Sequence, residues 1–456
     1  MSSYVIDSEL FRDQFSTQTM RDIFSDSNTV QRWLDVEAAL AKVQARLSII
    51  PQAAADEIQR KAKVELIDLP ELKAEMDRTA HPIVPLLRAM KKICDGDAGE
   101  YIHWGATTQD IMDTGTILQL KDALREIETA LQSTLDNAMK LAAQYRDVTM
   151  VARSHGQQAL PITFGFKAAV WAAEIRRNLA RLAQMRERLL MGQFSGAVGT
   201  LAALGDQGIE VQEALFEALG LGTPEITWHV SRDSMAEMAC VLGICASTLG
   251  KIAHEIYSLQ KTETAELEEP FSPGKVGSST MPHKRNPPTC ETVVAISRIV
   301  RSTVPLAMEA MMAEHERDKI VLQTEREFIS RVCCMTHAAA RKMAFVLEKL
   351  SVRTQNMEKN LHIQNGLLLS EAVMMHLSDA LGRQEAHEIV YRVCMDVFER
   401  GGNLKDALLD DTQLKGRLSA GDLDRVLDPH AYTGLAGVFV DRVLGRKTAQ
   451  PEAARG

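Results

Sequence analysis

The sequence predicts an all-α protein, and three observations carry that prediction. Apolar residues recur at three-or-four spacing over stretches much longer than an average helix. Glycine and proline are missing from those stretches, and period-two alternation between turn residues is hard to find anywhere. A content of 45% hydrophobic and 25% charged residues fits a globular chain, and only 5% aromatic residues beside 21 Met point to helices packed through aliphatic and methionine side chains.

Residues 1–106 read as an N-terminal helical domain. From Thr116 to His155 no Gly or Pro occurs, and Ile117, Leu120, Leu124, Ile127, Leu131, Leu135, Ala138 and Leu141 form one stripe, which predicts a long helix. Ile162 to Met191 repeats the pattern with only Gly165 interrupting, Ser234 to Glu269 carries a third segment, and Thr289 opens a fourth. After Pro305 neither Gly nor Pro returns until Gly366. Such lengths exceed what a monomeric domain needs, so the helices are expected to bury more than one side, as in an oligomeric bundle. Boundaries near HWGATTQD (103–110) and SVRTQNMEKN (351–360) divide the chain into three helical domains: 1–106, a central long-helix bundle over 107–355, and a C-terminal domain over 356–456. From about Thr448 the chain is rich in Ala, Gln and Pro and reads as a frayed end.

The formal net charge of -9 argues against a nucleic-acid-binding surface, which needs a basic face. Seven cysteines form no C-x-x-C pair, which points to reduced thiols used as small hydrophobes. The start, MSSYVIDSELFRDQF, lacks a basic run followed by an apolar one, and no stretch of 18 apolar residues appears. A cytoplasmic protein without a membrane or nucleic-acid partner is expected.

Four polar clusters interrupt the apolar helices at their boundaries, where loops position functional groups on a scaffold. They are His81 in TAHPIVPL, Thr107, Thr108 and Gln109 in HWGATTQD, His155 and Gln157 in ARSHGQQALP, and the stretch GKVGSSTMPHKRNPP at 274–288. In the last, Ser278 and Ser279 offer hydroxyls, Lys284 and Arg285 offer cations and Asn286 an amide, a set suited to carboxylates. Gly277 would permit close approach of the backbone to a ligand. The phosphate-loop pattern is absent, since Lys275 is followed by Val276, and HKR is too short for a basic targeting patch. No metal-ligand spacing occurs: His315 in AEHERD reads as part of an ordinary helix face, and His254 and His337 as structural residues.

GSSTMPHKRNP resembles the signature loop of the aspartase/fumarase superfamily, whose members are homotetrameric helical lyases and cycloisomerases. HWGATTQD, ARSHGQQALP, GQFSGAVGTLAALG, WHVSRD, LQKTETAELEEPF and AEHERD resemble other blocks of that family in the same order, so the likeness covers nearly the whole chain. It implies proton removal from a carbon next to a carboxylate, an enediolate-like carbanion, and loss of a leaving group from the neighbouring carbon, without cofactor or metal. It further implies Ser278 as the base on a mobile loop spanning 272–288. Lys284 and Asn286 would hold carboxylate, beside Thr107, Thr108, Gln109, Ser279, Gln157 and Arg326 as substrate-binding residues. Active sites in the family combine three subunits, so Ser278 and His155 are expected from different chains of a homotetramer.

Two subgroups frame the substrate. His155 and His81 match histidines of adenylosuccinate lyases, whereas the length, MRDIFSD, KVGSSTMPHKRNP and LDRVLDPHAY resemble carboxymuconate cycloisomerases. The early Arg-Tyr phosphate pair of adenylosuccinate lyases is replaced by Gln14 and Phe15, and their serine pair by Leu322 and Gln323. Losing charge-assisted hydrogen bonds worth about 1.5–3 kcal/mol each disfavours an AMP-sized substrate. The expectation is therefore C–N bond chemistry on a small N-succinyl, aspartate-type polycarboxylate, as lyase or iminodisuccinate-type epimerase. His155 would serve the leaving nitrogen with His81 as partner or carboxylate contact. Carboxymuconate cycloisomerisation, adenylosuccinate cleavage and a catalytically silent helical assembly are the ranked alternatives.

Overall fold

A computed structural model describes residues 3–271, 274 and 276–446. Residues 272, 273 and 275 of the expected loop, and the tail from Thr448, lie outside the described residues. The protein is built of helices, and the elements that bear on the site are, in chain order, α1 (Asp26–Arg46), α2 (Ile83–Ile93), α3 (Thr108–Gln144), β1 (Thr149–Ser154), β2 (Gln157–Thr163), α4 (Phe164–Leu189), α5 (Asp233–Leu259), β3 (Leu267–Glu268), α6 (Pro288–Glu309), α7 (Lys319–Glu348) and β4 (Ser351–Val352).

The chain divides into two compact units: Met1–Gln132, Arg177–Gly250 and Thr292–Lys342 form the first, and Ser133–Arg176, Lys251–Glu291 and Met343–Gly456 the second. In the first unit α1 starts at Ser25, whose side chain accepts from the Asn28 N–H, and it buries Val30, Leu34 and Val36 against Leu86 and Met90 of α2 and Ile111 of α3. Gly115 of α3 is required by this packing, because a Cβ there would stand 2.8 Å from the Trp33 ring. In the second unit a C-terminal cluster closes around Val373, Leu377, Val390, Leu404 and Leu423. The helix α5 is long and apolar enough by composition to cross a membrane, yet most of its most apolar 18-residue window is buried inside the protein, as in a core helix.

Three helix ends differ from the expectation. The first long helix stops at Gln144 rather than running toward His155, without Gly or Pro to stop it. The Gly165 N–H caps the Tyr145 carbonyl at 2.8 Å, and the chain crosses so tightly that a Cβ on Gly165 would lie 2.5 Å from the Arg146 Cα. Beyond this helix the chain forms an antiparallel hairpin, β1 with β2. Its buried edge shows no alternation, and a register shift between Val151 and Arg153 blurs the period further. The third segment likewise ends at Leu259, ahead of β3, which pairs with β4.

The fourth segment runs through Pro305 to Glu309 and then breaks before α7. His315 sits in this break with φ 56, exposed, and not on a helix face. Asp318 makes the new start, its side chain accepting from the N–H of Ile320 (2.8 Å) and of Glu314 (3.2 Å).

Candidate active site

The break before α7 matters because of where it delivers Arg317. Within the first unit, His81, Thr107, Thr108, Gln109, Arg317, Lys319, Gln323 and Arg326 line one cavity of about 450 Å³, of the size that holds a small molecule. Arg317 Nη1 donates to Thr107 Oγ1 at 2.6 Å, and its Nε to Gln109 Oε1 at 3.3 Å. Three cations (Arg317, Lys319, Arg326) stand against one carboxylate, Asp318, which already caps α7. The N-terminus of α3 adds the positive end of a 37-residue helix.

A buried polar frame fixes this helix start. Asp110 accepts from the N–H groups of Thr107, Ser195 and Gly196, each at 3.0 Å, and shares a hydrogen bond of 2.8 Å with His229 Nε2. Gln109, only 1% exposed, donates through Nε2 to Asp113 Oδ2 (3.0 Å) and to the His229 carbonyl (2.8 Å), which turns its Oε1 toward Arg317. Arg232 grips Asp113 with two parallel bonds of 2.9 and 3.0 Å and Glu325 through Nε at 2.7 Å and through Nη2. One guanidinium thus serves two buried carboxylates. Burial raises the Glu325 carboxyl above its ordinary range against the pull of Arg232.

His81 has a defined tautomer. Its Nδ1 accepts from the Val84 N–H at the start of α2 (3.1 Å), so the neutral ring carries its proton on Nε2, 3.2 Å from Thr108 Oγ1. Burial, then the charges of Lys319, His103 and Arg317, hold its pKa below the ordinary value. A neutral N–H donor aimed into a cationic cavity is the result. Nearby His103, left-handed at φ 65, bonds Glu37 at 2.6 Å. Burial opposes its charged form, but the charge and hydrogen bond of Glu37 outweigh that and raise its pKa.

The other expected residues lie in the second unit. His155 and Gln157 are exposed at the tip of the β1–β2 hairpin, where His155 (φ 52) and Gly156 (φ 79) form a two-residue turn of the kind that twists with its strands. Arg153 anchors the hairpin to buried Glu266 at 2.7 and 2.9 Å, and Asn360 donates to the same carboxylate at 2.7 Å.

Ser278 Oγ accepts from the N–H of Met281 (3.0 Å) and of Thr280 (3.3 Å), while Ser279 is exposed. Lys284 and Asn286 line a cavity of about 700 Å³ with Arg285, Arg353 and Glu268. Arg285 bonds Glu268 at 2.9 Å and lies over the Phe271 ring, and Arg353 pairs with the same carboxylate. Burial works against the Glu268 charge, and the hydrogen bonds of Arg285 and Arg353 outweigh it and lower the pKa.

The close approach expected of Gly277 is made to the chain itself. A Cβ there would stand 2.1 Å from the Lys284 carbonyl. Gln260 binds the loop at both ends, accepting from the Glu269 N–H (2.8 Å) and donating to the Arg285 carbonyl (3.1 Å).

Arg317, Lys319, Arg232, Asp113 and His229 are among the polar groups that spacing alone did not single out. Asp318 was the available signal for the first pair, as an N-cap before a new apolar run. Nothing in the spacing of Arg232, Asp113 and Glu325 announces their meeting. Among the described residues no group of three or more His, Cys, Asp and Glu side chains could hold a metal ion.

Residues 12–301 match the family described as "Lyase", and residues 366–443 the one described as "Adenylosuccinate lyase C-terminus". An N-acetyl-S-(2-succino)cysteine lyase of Enterococcus italicus is 42% identical over 97% of this chain and 97% of its own. An adenylosuccinate lyase of Methanocaldococcus jannaschii is 39% identical over 94% of each. The crystal structure of a 3-carboxy-cis,cis-muconate lactonizing enzyme from Pseudomonas putida superposes with a TM-score of 0.90 at 37% identity, over 96% of this chain and 98% of that one.

Proposed function

This chain is an enzyme of the aspartase/fumarase superfamily, and on that premise we propose that it makes and breaks a C–N bond on a small N-(1,2-dicarboxyethyl) amine, a succinate bearing the amine on its second carbon. The observation that carries the reading is the cavity at the start of α3, where three cations, a helix N-terminus and a neutral His81 donor converge on space for a small polyanion. Thr107, Thr108, Gln109 and Arg326 bind its carboxylates there, together with Arg317 and Lys319.

In this mechanism the Ser278 alkoxide takes a proton from the carbon next to a carboxylate, and the electron pair spreads into that carboxylate as an enediolate. The C–N bond then breaks with its pair going to nitrogen, which takes a proton from His155. Fumarate and an amine result. An ordinary serine is too weak a base, and the two backbone N–H groups on Ser278 Oγ favour its anionic form. Closure of the loop would expel water and bring Lys284 and Asn286 onto a carboxylate, with Ser279 and Gln157 beside them. His81, with its proton on Nε2 and its pKa lowered, acts as a carboxylate contact rather than as an acid.

If fumarate and amine recombine on the opposite face, or if the carbanion is reprotonated there, the same steps invert a stereocentre. That is the epimerase form of the reading, with iminodisuccinate as the test compound. Gln14 and Phe15, with Leu322 and Gln323 on the cavity wall, supply no phosphate site and disfavour adenylosuccinate. The assembly is proposed as a homotetramer, with the three-domain division of the sequence, in which Ser278 and His155 reach one cavity from different chains.

The test incubates purified protein in deuterated water with N-(1,2-dicarboxyethyl) amino acids, N-acetyl-S-(2-succino)cysteine, adenylosuccinate and carboxymuconate. Fumarate absorbance and deuterium incorporation are followed. Exchange or fumarate release from the amine adducts, abolished in Ser278→Ala, is expected. Turnover of carboxymuconate alone would overturn the reading.

A further inference from the structure

The cationic cavity shares part of its wall with another. Met112, Leu322 and Arg326 also line a second cavity of about 430 Å³ in the same unit, whose other walls include Phe24, Trp33, Met76 and Ile329. Its polar groups are largely committed. Asp113 and Glu325 hold Arg232, and the Gln119 amide donates to the Ile23 carbonyl and to Thr29 Oγ1. Arg326, at the shared wall, is the one cation in its lining, against Asp26, Asp113 and Glu325. A further carboxylate placed there would face like charge across aromatic and aliphatic walls.

We propose that this second compartment takes the side chain of the departing amine, so that the enzyme prefers the N-(1,2-dicarboxyethyl) derivative of an apolar amino acid over that of a second aspartate, which ranks iminodisuccinate, the test compound of the epimerase form, below the apolar derivatives. The proposal rests on the C–N reading of the first cavity. The placement of the cations agrees with it: Arg326 stands at the junction where the amino-acid carboxylate would lie, which leaves Arg317, Lys319 and, on loop closure, Lys284 for the two succinate carboxylates. The side chain then passes between Met112 and Leu322. Discrimination comes from the walls, because each methylene accommodated in a hydrophobic pocket is worth roughly tenfold or more in kcat/KM.

The experiment compares kcat/KM for the glycine, leucine and aspartate derivatives in the wild-type enzyme, Leu322→Lys and Thr116→Phe. Thr116 lines the second compartment but not the first, so its enlargement fills only the former. The leucine derivative is expected to exceed both others by about tenfold or more. Thr116→Phe should remove that advantage over glycine, and Leu322→Lys should shift the ratio toward aspartate. Each result is a ratio within one protein, so partial loss of folded enzyme cancels. Glycine or aspartate derivatives matching or exceeding leucine would overturn the compartment assignment while leaving the C–N reading intact. An advantage for leucine that survives Thr116→Phe would overturn it too. No turnover or exchange with any of the three, beside active turnover of carboxymuconate, would bring down the reading and the assignment together.

Discussion

Replacing Arg232 with Met should be more damaging than replacing Glu325 with Gln, although both touch the same ion cluster. The three side chains are 1%, 4% and 5% exposed for Arg232, Asp113 and Glu325. Removing the guanidinium leaves two carboxylates buried without their cation, and breaking such a pair costs about 3–5 kcal/mol. Glu325→Gln keeps the oxygen that accepts from Arg232 Nε and leaves Asp113 its two bonds. It loses the bond from Arg232 Nη2, which then meets the amide NH2, and the charge assistance of the other, about 1.5–3 kcal/mol, part of which the relief of a buried charge offsets.

The two variants should also differ in pH response. In Arg232→Met the Glu325 carboxyl, already raised by burial, loses the group that opposed the rise. An acid whose folded pKa lies above its unfolded value binds more protons in the native state, so stability falls as pH rises through that interval. The deficit of Arg232→Met should therefore shrink on going from pH 7.5 toward pH 5. Urea unfolding at fixed protomer concentration measures both effects, and KM reports whether Gln109 has lost the Asp113 acceptor that orients it. Equal losses in the two variants, or a deficit independent of pH, would refute this account of the cluster.

Gly277→Ala tests the loop. Its Cβ would collide with the Lys284 carbonyl at 2.1 Å, in an exposed segment, so unfolding should barely change while kcat/KM falls by on the order of 10²-fold as the Lys284 and Asn286 groups shift. His337, whose Nδ1 lies 3.0 Å from Thr17 Oγ1, has its pKa pushed down to about 4 by burial and by Arg341. Its stabilisation is present above the ordinary value of 6.5 and is lost as pH falls from there to 4, a change of roughly 3 kcal/mol. Urea midpoints across that range should flatten in His337→Asn. Mixing inactive Ser278→Ala with inactive His155→Asn, followed by subunit exchange, should restore about a quarter of wild-type activity if each site draws those residues from different chains of a symmetric oligomer, and none if one chain supplies both.

The long apolar stripes were legible because neither strands nor loops sustain a period of 3.6 over many turns, and α3, α4, α5 and α6 all begin within eight residues of their expected starts. The ends were less legible for a physical reason. The first helix stops where Gly165, twenty residues farther on, approaches its last carbonyls, a tertiary event with no local mark. The hairpin was hidden because its turn uses His155 and Gly156 instead of Asn-Gly, and Pro161 sits in its second strand. Around the cationic cavity, polar clusters at helix boundaries announced His81, Thr107, Thr108 and Gln109. Arg317 did not stand out, because AEHERD reads as helix until Asp318 is recognised as a cap. Arg232, Asp113 and Glu325 lie in three separate segments, and only folding brings their charges together.

The proposed mechanism asks a second element to serve the cationic cavity, and the chemistry of the lining gives the reason. Its lining contains two groups that could in principle move a proton, His81 and Asp318, besides the cations. Asp318 is occupied at the start of α7, and His81 has its only free nitrogen protonated, because Nδ1 is taken by the Val84 N–H. Neither can accept a proton from carbon without first giving up the contact that positions it. The cavity is thus equipped to hold an anion and to stabilise charge, which are the tasks cations and a neutral N–H perform, and it lacks the base. Ser278 has complementary equipment, since two backbone N–H groups favour its anion and Gly277 draws Lys284 close beside it. Under the proposed mechanism a binding half that waits for its base gains something a complete pocket would not have: proton abstraction would begin only when the loop has closed and water has left, so the carbanion would form in the one state able to stabilise it.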